Sequence, residues 1–109
     1  MESKNAIEAL SALAHESRLS AFRLLVRAGE EGLPAGELAR LLQVPANTLS
    51  TNLGILSRAG LVNSHREGRS IVYAANYDGM SKLVTFLMKD CCQGRAEVSA
   101  PVNELALSL

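Results

Sequence analysis

Along the first 28 residues the apolar positions keep a helical spacing. Ala6, Ile7, Leu10, Leu13 and Ala14 recur at three- and four-residue steps, as do Leu19, Phe22, Leu25 and Val26. Such spacing lines one face of an α-helix and predicts two helices separated at "AHES". Gly29, Gly32 and Pro34 in "AGEEGLP" predict a turn. A short helix follows, with Leu38, Leu41 and Leu42 inward. It stops near "QVPAN", because Pro45 pushes Val44 out of helical geometry and can itself open a new helix. The next helix turns Leu49, Leu53 and Leu56 inward and ends at Gly60, which suits the left-handed residue just past a helix end.

The period then shortens. "LVNSHREGRSIVYAA" holds two strand-forming runs around "EGR", with Val62 in one and Ile71, Val72 and Tyr73 in the other, and predicts a hairpin. A last helix is expected from Asp78, a residue type that caps helix starts. Met80, Leu83, Val84, Leu87 and Met88 form its apolar stripe, which runs on to Cys91 and Cys92. Residues 94–109 keep no clear period, so the chain divides into one domain over 1–93 and an unassigned tail. The class is α+β, mainly α.

Composition narrows this picture. The 109 residues suffice for one core, at a size where association between copies often adds buried surface. A formal net charge of zero argues against indiscriminate polyanion binding. The charge is unevenly spread, however: between Pro34 and Ala75, Arg40, Arg58, Arg66 and Arg69 stand against only Glu37 and Glu67. No run approaches the ~20 apolar residues that cross a bilayer, so no membrane association is expected. The start "MESKNAIEAL" has early acidic residues and no apolar leader core, so a cytoplasmic protein with reduced thiols is expected. No nucleophile, base and orienting group occur together, and no phosphate-binding glycine loop is present, so no enzymatic activity is expected.

Two short helices joined through "LLQVPAN" have the layout of a helix-turn-helix. Away from its leucines, the second helix carries Asn47, Thr48, Ser50, Thr51 and Asn52, all short and able to hydrogen-bond base edges or phosphates in a major groove. A merely solvated helix face would show the same pattern. In the hairpin, Arg66 and Arg69 flank Gly68, where guanidinium groups can reach phosphate.

"LSALAHESRLSAFRLL", "ELARLLQVPANTLSTNLGILSRAGLV" and "REGRSIVY" follow one another over most of residues 8–75. In order and separation they resemble the ArsR/SmtB family of winged-helix repressors. The resemblance implies a winged helix-turn-helix with a two-stranded wing, and a homodimer joined through its first and last helices. It further implies a two-fold DNA operator that is released when a metal or metalloid binds. No resident cofactor is implied.

The inducer site is less regular. His15 and His65 are the chain's two histidines and lie far apart, so no His-rich tetrahedral zinc site is legible. The helix that often carries Cys-x-Cys in the family reads "AGELARL", and "DGMSKLVTFLMKD" lacks the Asp and His set of zinc-sensing relatives. "DCCQGRAEVS", by contrast, resembles the C-terminal end of arsenic-responsive members, which implies Cys91 and Cys92 as ligands of trivalent arsenic, arsenite or methylarsenite. Such relatives often have a third cysteine a few residues later, where this chain offers Ser99. Three other uses of the region stay open: a redox-sensing pair, cysteines that merely pack as small apolar residues, and a protein-interaction module built on the same fold.

Overall fold

A computed structural model describes residues 1–92. Five helices and three short strands follow in order: α1 (Ser3–Leu13), α2 (Glu16–Ala28), β1 (Leu33–Pro34), α3 (Ala35–Leu42), α4 (Ala46–Arg58), β2 (Val62–Glu67), β3 (Ser70–Ala75) and α5 (Tyr77–Cys92). The fold is a winged helix-turn-helix, mainly α, with α3 and α4 as the helical pair and the β2–β3 hairpin as the wing. The tail 94–109 and Ser99 lie outside the described residues.

Leu25 of α2, Leu38 of α3, Leu53 and Leu56 of α4 and Leu61 are the largest fully buried side chains. α2 packs against α1, α3, α4 and β3, and so forms the centre of the domain. The leucines expected inward on α4 are buried. On α1 the outcome differs from the expected stripe. Ala6, Ala9 and Ala12 face the core, while Ile7 is 64% and Leu10 42% exposed. Alanine lets helix backbones approach closely, and it leaves the larger side chains of α1 directed outward.

Both helices of the helix-turn-helix are closed at their C-terminal ends by the same device. Gln43 is left-handed, with φ 55°. Its N–H donates to the Arg40 carbonyl at 3.3 Å, and the Val44 N–H donates to the Ala39 carbonyl at 3.2 Å. After α4, Gly60 has φ 80°, its N–H reaches the Ser57 carbonyl at 3.0 Å, and the Leu61 N–H reaches the Leu56 carbonyl at 3.0 Å. Each is the paired hydrogen-bond pattern that satisfies the last carbonyls of a helix, and Gly60 fills the place expected of it.

The sheet has one strand more than the hairpin alone. Its order is β1-β3-β2, antiparallel throughout, with Leu33 opposite Tyr73 and Pro34 opposite Val72. β1 is too short to show alternation, and it holds a proline, which is tolerated because the strand lies at the sheet edge. Gly32 enters it with φ 70°, and a Cβ there would collide with the Tyr73 carbonyl oxygen. The start of α5 also differs from expectation. Asn76, not Asp78, is the cap: its Oδ1 accepts from the Gly79 N–H at 3.2 Å. Asp78 sits in the first turn and pairs with Lys82 at 3.0 Å.

Candidate nucleic-acid interface

The α3–α4 turn leads into α4 through Pro45, whose extended backbone (φ −61°, ψ 148°) precedes the first helical residue. No acidic residue occupies the first turn of α4. The partial positive charge of its N-terminal N–H groups is therefore left available to an anion. Asn47, Thr48, Ser50 and Thr51 are exposed along the first half of the helix. The Asn47 Oδ1 accepts from the Thr48 N–H at 2.9 Å, and the Thr51 hydroxyl donates to the Asn47 carbonyl at 3.1 Å. These bonds hold two of the four polar groups close to the helix surface.

Asn52 departs from its expected place on that polar face. It is 7% exposed, on the side of α4 that looks toward α2. The reason is periodicity: Asn52 lies three residues after Leu49 and four before Leu56, and therefore on the leucine face. It borders a cavity of about 310 Å³ shared with Glu16, Ser17, Ser20 and Leu49. A direct base contact from Asn52 is incompatible with this position.

The wing turns over two residues, Gly68 and Arg69, between the paired Glu67 and Ser70. Gly68 has φ 61° and Arg69 does not have a positive φ, which makes the turn type II′, a form suited to the twist of a hairpin. Arg66 and Arg69 are both exposed. His65 and Glu67 alternate to the face opposite Arg66 and pair with each other at 3.1 Å. Among the described residues no carboxylate lies within ion-pair distance of Arg66 or Arg69. Arg40 on α3, by contrast, is engaged: its Nε donates to Glu37 at 3.1 Å, and this hydrogen bonding holds the exposed Glu37 carboxyl below its usual range. A shallow cleft of about 180 Å³ lined by Ala46, Ser50, Ile71 and Tyr73 sets the first turns of α4 beside the wing. The polar face of α4 and the two wing arginines are both exposed, and the cleft sets the start of α4 beside β3 of the wing, an arrangement suited to groove contact from the helix and phosphate contact from the wing.

Two joints were not legible as such. Arg18 of α2 reaches back to the end of α1, its Nε donating to the Ala12 carbonyl at 2.6 Å. The Tyr77 hydroxyl donates to the Val26 carbonyl at 3.1 Å and closes the end of α2. A basic residue one turn past a helix junction is the only sequence signal for the first, and nothing marks the second. Cys91 and Cys92 lie in the last turn of α5. Among the described residues no three His, Cys, Asp or Glu side chains gather as a metal site, and no helix is long and apolar enough to cross a membrane.

A family model described as a helix-turn-helix domain matches residues 13–65. The chain is 31% identical over 91 residues to the transcriptional activator HlyU of Vibrio cholerae, covering 84% of this chain and 82% of HlyU. The reduced form of HlyU is among the similar solved structures, with TM-score 0.64, 30% identity and coverage of 83% of this chain and 92% of that one. A Halobacterium salinarum protein that carries the name "Putative arsenical resistance operon repressor ArsR" is 40% identical over 75 residues, 69% of this chain and 57% of that protein. An ArsR-like transcriptional regulator from Rhodococcus sp. RHA1 superposes with TM-score 0.73 at 25% identity, over 94% of this chain and 93% of its own. Fold, ordered motifs and relatives agree, and the chain belongs to the ArsR/SmtB family of winged-helix transcriptional regulators.

Proposed function

We propose that the protein is a cytoplasmic, homodimeric repressor that leaves a two-fold operator when trivalent arsenic binds Cys91 and Cys92. Asn47, Thr48, Ser50 and Thr51 read the major groove, and Arg66 and Arg69 hold phosphate. The observation that carries the inducer assignment is the placement of two adjacent cysteines in the last turn of α5. Trivalent arsenic is a soft centre that favours thiolates, and neighbouring thiols can reach one such atom from a helix end. The likeness to the Halobacterium repressor supports the same inducer. Ile7 and Leu10, exposed on a helix that packs beside α5, support a dimer joined through these two helices.

Arsenite and methylarsenite, titrated separately into the protein bound to fluorescent operator DNA, test this by anisotropy. Both should release the DNA. Methylarsenite should do so at no higher concentration than arsenite, because its methyl group already fills the valence that two sulfurs leave open. Retention of the DNA when both thiols are occupied would sink the proposal.

Thiol oxidation is a second reading, favoured by the similarity to HlyU, whose reduced form has been solved as a distinct structure. Adjacent cysteines form a disulfide only in strained geometry, which argues against an internal bridge. Release by hydrogen peroxide with no release by either arsenical would select this reading.

The wing assignment carries its own expectation. If the Arg69 guanidinium neutralises a phosphate, Arg69→Ala weakens all DNA sequences alike. It also lowers the slope of log affinity against log salt by about 1 per lost contact, roughly 2 in a symmetric dimer. An unchanged slope would remove Arg69 from the interface. A protein-interaction module on this fold would show no such steep salt dependence at all.

A further inference from the structure

At the far end of α5 from the cysteines, one residue is bonded through its side chain and its backbone to the end of α4 and the start of α5. The Asn76 N–H donates to the Leu61 carbonyl at 2.9 Å, and its Nδ2 donates to the Gly60 carbonyl at 2.9 Å. Its Oδ1 accepts from the Gly79 N–H at 3.2 Å, and its own carbonyl accepts from the Met80 N–H at 3.0 Å. Gly60 and Leu61 are themselves bonded into the last turn of α4, through Ser57 and Leu56. Ala75, the residue before Asn76, is paired with Val62 at the base of the wing. The joint is also close-packed, since a Cβ on Gly79 would collide with the Gly60 carbonyl oxygen.

A plain helix cap needs only the Oδ1 bond to Gly79. The Nδ2 bond to Gly60 does something else: it fastens the first turn of α5 to the end of the helix that bears the polar DNA-facing side chains. From this we infer that Asn76 is the positioning residue that couples α5 to α4, so that a change at the cysteine end of α5 reaches the DNA-contacting helix through this joint. At 1.5 Å per residue, Cys91 lies about 21 Å along the helix from Tyr77. α5 is thus a lever, with its load at the thiols and its pivot at Asn76. The inference rests on the assignment of α4 to DNA and of the thiols to the inducer.

Asn76→Asp separates the two roles. Aspartate caps a helix as well as asparagine does and keeps the acceptor for Gly79, but it cannot donate to the Gly60 carbonyl. The first measurement needs no arsenic. Coupling between two sites is reciprocal, so DNA bound at α4 must alter α5. When the parent is saturated with a duplex selected from a random-sequence library, amide exchange at Gly79 to Leu83 should slow at least fivefold. In Asn76→Asp, with duplex affinity within about threefold of the parent, that slowing should fall below twofold. Equal slowing in parent and variant, or none in the parent, overturns the inference whatever arsenic does. The second measurement is the loss of DNA affinity on methylarsenite binding, expected to be at least tenfold in the parent and under threefold in the variant, with methylarsenite still bound. A variant released as fully as the parent also overturns the inference. If the exchange difference is found and arsenicals release neither protein, the inducer assignment fails and the coupling stands.

Discussion

Cys91→Ser and Cys92→Ser should each abolish release by arsenicals while leaving operator affinity near that of the parent. A hydroxyl is a hard, weakly acidic group and does not replace a thiolate on a soft centre. With only two sulfurs in the pair, losing either one removes half of the soft ligands. A ligand weakens DNA binding only by the margin with which it prefers the DNA-free form, and a tenfold release corresponds to about 1.4 kcal/mol of such preference. Neither cysteine lies on the α4 face or in the wing, so the unliganded complex should be unaffected. The check is the half-release concentration of methylarsenite by anisotropy, together with operator affinity in its absence. A serine variant released at the parent's concentration would show that the replaced thiol is not a ligand.

The largest effect on stability is expected at the start of β1. Gly32 holds φ 70°, which costs an L-residue about 1–2 kcal/mol. A Cβ would also meet the Tyr73 carbonyl oxygen, so β1 must move away from β3 to make room. Together these should make Gly32→Ala less stable by about 2–4 kcal/mol, a large share of the ~5–15 kcal/mol typical of a domain. Urea unfolding followed by circular dichroism measures it. A loss below about 0.5 kcal/mol would mean that the edge strand adjusts freely. Gly68→Ala provides a comparison, because that glycine shares a positive φ but has open space around its Cα.

Much of this architecture was legible because it rests on local rules. The two helices before residue 28, the proline-led α4, Gly60 and the "EGR" hairpin all follow from spacing and turn chemistry. What stayed hidden depends on partners distant in the chain. β1 exists only because β3 offers it hydrogen bonds, and two residues carry no pattern of their own. Asn76, not Asp78, is the cap because β3 runs to Ala75 and α5 begins at Tyr77, and the bond from its side chain to Gly60 joins residues sixteen apart in the chain. On α4, Asn47, Thr48, Ser50 and Thr51 could be placed on the exposed face by polarity alone, but Asn52 could not. Its chemistry suggested the polar face, and its phase relative to Leu49 and Leu56 put it on the other. Helical phase, which a list of residue types does not contain, decided that position.

The alanine face of α1 bears on which substitutions the helix can accept. Ala6, Ala9 and Ala12 bury no rotatable side chain, so packing them freezes no rotamers, and their small size lets the backbone of α1 approach its neighbours closely. Any larger residue there must lift the whole helix, because a single side chain has nowhere to turn. Ile7 and Leu10 stand under no such constraint within one subunit, where polar replacements would disturb little. The inner face of α1 therefore answers to the fold of the single chain, and the outer face does not. Tolerance to substitution along this one helix should alternate with helical phase within a single subunit, strict on one side and permissive on the other.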